Sequence, residues 1–266
     1  MRRLSNGQCA LGFGQTRASD PFKRFKPEVA QPVRQADVTA QSYVERARKA
    51  REMLRSMDPE KVKQVIEFHK KLNFFQALAL AQREGRLIVP HDVHDRILTE
   101  TTDEQYLIQN YPVWTGTLAI YEAPDTPFGE QVVFQGLTFI VPAQLQGKTN
   151  CALIVEHPDF EIVTLGGSRY ELRVSDESIH LLKNFPKKDG WYIPHSERKI
   201  PQDELVAESK DARYLWRLGG SYLGPVVRVA GVDDRQFVGV GYRSNGRFGV
   251  ALMPLTAAPE KSDLHE

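Results

Sequence analysis

The apolar positions change period along the chain. Over 39–57, Tyr43, Ala47, Ala50, Met53 and Leu54 recur at steps of three and four with charges between them, which predicts an amphipathic helix. Asp58-Pro59-Glu60 restarts the pattern, an N-cap aspartate ahead of a proline at the first helical position, with Val62, Val65, Ile66, His69 and Leu72 along one face. Asn73 with Gln76 three residues on predicts a third helix, and Gly85 ends it. A short strand is expected over 86–89. Pro90 with Asp92 behind it then starts another helix, with Val93, Ile97 and Leu98 toward the core. A helical hairpin or three-helix unit packing on the C-terminal remainder of the chain is the expectation.

From Tyr111 the texture becomes that of strands. Runs at 113–122, 131–134, 137–141, 152–156, 160–165 and 169–174 are bounded by Pro, Gly, Asn and Asp. Phe134-Gln135-Gly136-Leu137 and Leu165-Gly166-Gly167-Ser168-Arg169 read as hairpin turns. Gly166-Gly167 precedes another strand rather than a helix, so it reads as a turn and not as a phosphate loop. The stretch 178–209 is irregular, with Trp191 and Tyr192 over a core and a helix-like piece at 201–209. Further on, Val226-Val227, Val238 to Val240 and 248–251 repeat as strands, with Leu215, Trp216 and Leu252 as core. The fold class is α+β, a helical N-terminal segment followed by a mostly β domain. The division is a basic arm at 1–36, a helical segment at 37–110, a β-rich domain at 111–257 and a tail at 258–266.

Composition narrows the function classes. A formal net charge of +1 over 266 residues argues against a whole-protein nucleic-acid binder. Only the arm is basic: Arg2, Arg3, Arg17, Lys23, Arg24, Lys26 and Arg34 stand against Asp20 and Glu28, which suggests a disordered tail, with attachment to nucleic acid or an acidic partner as its functional reading. Cys9 and Cys151 form neither a disulfide framework nor a metal spacing, which favours a reducing interior. No run approaches 18 apolar residues, and Arg2 and Arg3 lead into no continuous apolar region, so neither a transmembrane helix nor a secretory signal is expected; the cytoplasm is the default compartment.

His91-Asp92-Val93-His94-Asp95 is the most chemical-looking stretch. Two imidazoles and two carboxylates within five residues suit a divalent metal, since His91 and His94 share one face of a helix. Spacing fixes no third ligand, and the next such cluster, Glu156-His157-Pro158-Asp159, lies about sixty residues on. The competing reading is a helix start. Ser168 and Ser221 sit in no nucleophile elbow, and nothing around Cys151 lowers its pKa.

The strongest clue is a bias at 218–252. Lys, Glu, Gln, Met and Trp fill 51 of the first 217 positions, a rate that would put about eight in these 35 residues, yet only Gln236 occurs. Those five amino acids are the ones that no pyrimidine-ending codon encodes. The cations are all arginine: Arg228, Arg235, Arg243 and Arg247, with Arg217 just outside. Short strands and turns also disfavour Lys, Glu and Gln, and that is the plainer account.

Three segments carry a resemblance. Trp216-Arg217-Leu218-Gly219-Gly220-Ser221-Tyr222, Val227-Arg228-Val229-Ala230 and Gly246-Arg247-Phe248-Gly249-Val250-Ala251-Leu252 resemble the C-terminus of variable proteins of diversity-generating retroelements. Tyr222 stands where that family has Trp, and Phe248-Gly249 where it has Gly-Phe-Arg. The resemblance implies a C-type-lectin-like domain of the formylglycine-generating-enzyme kind, without that enzyme's activity or paired cysteines. It also implies that adenine-directed mutation of AAY codons spreads the variable region over NNY codons, and that no cofactor is needed. On that reading Tyr222, Leu223, Val229, Gly231, Asp233, Asp234, Phe237, Val240, Tyr242, Ser244 and Asn245 face solvent and bind a protein or other macromolecular ligand. The alternatives are a metal-dependent hydrolase built on His91, Asp92, His94 and Asp95, or a structural interaction protein of a mobile element.

Overall fold

The computed structural model describes residues 36–101, 112–193, 205–209, 212–216, 224–233, 236–241 and 249–255. Among the described residues four helices form where the local signals stand: α1 (Ala36–Ser56), α2 (Pro59–Val65), α3 (Phe74–Glu84) and α4 (His91–Glu100). Asp58 accepts the Glu60 N–H at 2.9 Å ahead of α2. At the start of α3, Asn73 Oδ1 accepts the Gln76 N–H and Gln76 Oε1 accepts the Asn73 N–H, both at 2.9 Å. Gly85 closes α3 at φ 60°, a left-handed conformation that glycine adopts without a Cβ clash.

The second helix is shorter than the apolar stripe suggests. Ile66 is extended (φ −96°, ψ 143°), and β1 (Glu67–His69) comes directly after it, so His69 and Leu72 are not on the helix. The reason is tertiary. β1 pairs antiparallel with β14 (Gly249–Pro254), Phe68 opposite Ala251, which satisfies the edge of β14 that faces away from its other partners.

Among the described residues the main sheet has ten strands and is built on β3 (Val113–Tyr121), buried at every position. One edge of β3 carries β12 (Val226–Asp233), and beyond it come β13 (Gln236–Gly241), β11 (Arg213–Trp216) and β10 (Gly190–Tyr192). The other edge is shared. Its first residues pair with β14, and its last five with β6 (Ala152–Glu156), which in turn pairs with β9 (His180–Leu182). Beside β14 lies β2 (Arg86–Ile88). Gly116 sits at the fork: its N–H donates to Val89 O at 2.8 Å and its carbonyl accepts the His157 N–H at 2.7 Å. A Cβ there would lie 2.5 Å from Ile88 O, so the fork needs a glycine.

A four-stranded sheet, ordered β4 (Gln131–Phe134), β5 (Leu137–Ile140), β8 (Arg169–Val174) and β7 (Phe160–Gly166), packs on the core. Both predicted hairpin turns form, with Gln135 and Gly136 at φ 50° and 88° and Gly166, Gly167 and Ser168 at 90°, 59° and 60°. Alternation along β14 sorts the helices onto two faces: Ala251 and Met253 pack with α1, α2 and α4, whereas Val250 and Leu252 pack with α3. The protein is α+β and mostly β after α4. Two strands of the predicted helical segment, β1 and β2, belong to the same sheet as the C-terminal strands.

The helix-like reading of 201–209 is not met where it is described. Leu205 to Ser209 is non-helical, and Val206 bridges Trp191, whose carbonyl accepts its N–H at 2.8 Å. Leu215 and Leu252 are core, as expected. Residues 1–35 of the basic arm and the tail lie outside the described residues. Among the described residues no helix is long and apolar enough to cross a membrane.

Candidate functional site

The four residues singled out for a metal all fall on α4. His91, Asp92, His94 and Asp95 are 3%, 4%, 0% and 2% exposed, because α4 lies against β3 and β12. Its first turn is held by the His91 N–H donating to Thr117 Oγ1 at 3.1 Å. Both carboxylates are engaged by arginine. Arg55 of α1 brings Nε to 2.7 Å from Asp92 Oδ2 and Nη2 to 2.6 Å from Glu156 Oε1, and Arg213 Nε stands 2.8 Å from Asp95 Oδ1. Burial, and then the neighbouring His91, holds His94 down to about 3, so it is neutral near pH 7. Among the described residues no group of three or more His, Cys, Asp or Glu is placed to hold a metal ion.

The two acid–histidine stretches, which spacing alone does not join, are linked by Arg55, bonded to Asp92 in one and Glu156 in the other. Arg51 Nη1 lies 2.8 Å from Asp159 Oδ2 and 3.8 Å from Glu156 Oε2, and Arg48 Nε lies 2.5 Å from Asp159 Oδ1. Sequence reasoning misses Arg51, Arg55 and Arg213. A signal exists for two of them: Arg48, Arg51 and Arg55 succeed one another at steps of three and four, hence on one helix face. Nothing local marks Arg213.

His157 closes the cluster. The Ile88 N–H donates to its Nδ1 at 3.3 Å, so the proton is on Nε2, 3.1 Å from the Tyr43 hydroxyl, which donates to Arg86 O at 2.9 Å. Burial, and then Arg51, lowers His157 to about 3, against an opposing effect of Asp159. Burial also raises the Tyr43 hydroxyl above its ordinary range. Neither group is poised for proton transfer near neutrality. Tyr43 and His157 border a groove of about 1090 Å³ between α1, α3 and the start of the β7–β8 ladder.

The predicted binding positions divide into three sets. Val229 and Gly231, expected at the surface, are buried, Val229 at 0% exposure. The reason is their strand: β12 is flanked by β3 and β13, and Val229 opposes Leu118 on one side and Val240 on the other, inside the core. Asp233, Phe237 and Val240 have described backbones, Asp233 opposite Gln236 and Phe237 opposite Val232, at the closing end of β12 and along β13. Tyr222, Leu223, Asp234, Tyr242, Ser244 and Asn245 lie outside the described residues.

Compared with known proteins, the chain matches no family model, no curated protein and no solved structure.

Proposed function

We propose that this is a non-enzymatic ligand-binding protein whose C-terminal region is diversified by a retroelement, with a lectin-like variable surface. The observation that carries the reading is the restriction of 218–252 to amino acids that pyrimidine-ending codons encode, Gln236 excepted. A framework of β12 and β14 supports it. Val226, Val227, Val229, Ala230 and Val250 to Met253 are buried, so the backbone is held by apolar packing that exchanges elsewhere would leave in place.

The hydrolase alternative has less to stand on. Its two carboxylates are bonded to Arg55 and Arg213, and its four side chains are buried. The deciding experiment is to sequence the DNA flanking the gene. A near-copy of the codons for 218–252, differing only where the copy has adenine and lying beside a reverse-transcriptase gene, is expected. With no such copy, the bias reduces to strand-and-turn composition and the reading fails.

A further inference from the structure

The smaller sheet has an open edge beside the groove. Among the described residues β7 pairs with β8 alone. In β8 the Tyr170 N–H donates to Gly136 O, on the β5 side, at 2.8 Å. Backbone groups alternate sides along a strand, so Leu172 and Val174 also face β5, and Glu171 and Arg173 face β7. Opposite them, Val163 and Glu161 are turned toward β8. Ile162 and Thr164 therefore direct their N–H and C=O groups to the open edge, and among the described residues no backbone group meets them.

The groove provides side-chain room next to that edge. Phe75 and Leu78 of α3, with Ile162 and Val174, are only partly buried along it. Its rim is cationic where it meets solvent. The side chains of Arg48, Arg83 and Arg173 are 44%, 71% and 53% exposed, and Arg46 is exposed as well. Asp159, 7% exposed, is shared by Arg48 and Arg51, and Glu84, 30% exposed at its side chain, by Arg83 and Arg86, so that among the groove's lining residues the four arginines outnumber the three acids by one. Glu161 is exposed as well, 3.5 Å from Arg173, which also holds Glu171 at 2.9 Å.

We propose that β7 takes up an extended segment of a partner protein, alternating apolar and acidic side chains, as a fifth strand of the smaller sheet. Its backbone pairs with Ile162 and Thr164, its apolar side chains enter the groove against Phe75 and Leu78, and its carboxylates meet the arginine rim. A second copy of β7 fits less well, because Phe160–Gly166 brings a single acid, Glu161, to four arginines. The surface shares no residue with 218–252, so it stands whether or not that region is diversified.

The test uses the full chain and a synthetic peptide of about ten residues alternating valine with aspartate, a typical length for a paired strand. Bound peptide should slow amide exchange at Ile162 and Thr164 by about tenfold or more. Arg46→Glu combined with Arg83→Glu should weaken binding about tenfold, as should Thr164→Pro, which removes an edge N–H that no ladder uses. A peptide with lysine for aspartate should not bind. No binding at millimolar peptide, equal affinity for the lysine peptide, protection confined to other amides, or dimerisation through β7 in its place would overturn the proposal.

Discussion

Arg55 of α1 places Nε 2.7 Å from Asp92 Oδ2 of α4 while its Nη2 reaches Glu156 at the end of β6, 2.6 Å away. One guanidinium thus ties two helices to the main sheet, and both acids are nearly sealed from water at 5% side-chain exposure. Removing it would take the bonded counter-charge from buried Asp92 and leave Glu156 to the more distant Arg51, 3.8 Å away. Arg55→Met should lower stability by about 2–4 kcal/mol, less than for a fully buried pair because Arg55 keeps some solvent contact. Urea unfolding measures it, and a loss under about 1 kcal/mol would mean that the bridge is only decorative.

The fork of the sheet makes a second prediction. Ala at 116 would set its Cβ against Ile88 O and, at 3.2 Å, the His157 Cβ, so strands must separate. Gly116→Ala should cost about 2–4 kcal/mol. Gly85→Ala meets nothing within 4 Å and suffers only from its φ of +60°, so about 1 kcal/mol is expected. Thermal unfolding of the two variants should rank them in that order.

Stability should fall as the medium is acidified from pH 6.5. His94 and His157 have folded pKa values of about 3, below the ordinary 6.5, so both are neutral in the folded protein while the unfolded chain takes up protons. The unfolded state binds more protons, so stability rises with pH across this window and is lost as pH falls toward 3. Between pH 6.5 and 5 each histidine should remove about 1.5 kcal/mol. His94→Gln and His157→Gln should each flatten the slope by about one proton, read from urea curves at several pH values. Unchanged slopes would show that these imidazoles are protonated in the fold.

The devices legible in the sequence are those closed within a few residues. The Asn73–Gln76 box, Gly85, the Gln135-Gly136 turn and the strands over 131–134, 152–156 and 169–174 are of this kind, since propensity and turn chemistry act locally. His69 reads as helical from its neighbours because the ladder that claims it, at Val250, lies far along the chain. The chemistry of α4 misleads for the same reason: the groups that neutralise Asp92 and Asp95 come from Arg55 and Arg213, 37 and 118 residues away. Val229 shows the limit of composition, which marks a stretch as unusual but not which positions in it face the core.

That limit sharpens the proposal for 218–252. If the region is diversified, exchange must avoid residues that hold β12 and β14 together, and adenine mismatches in a flanking copy should fall at codons for Tyr222, Leu223, Asp234, Tyr242, Ser244 and Asn245. They should spare Val226, Val227, Val229 and Ala230, each fully buried. The same division applies to the protein itself. If these positions form the binding surface, Tyr222→Asp and Tyr242→Asp should change ligand binding and move the melting temperature by no more than about 2 °C. Val229→Asn should destabilise by about 3 kcal/mol, because an amide would be buried among Leu118 and its neighbours with no partner. Mismatches spread evenly over buried and remaining codons, or a melting temperature as sensitive at 222 and 242 as at 229, would remove the division between framework and binding surface on which the proposed function depends.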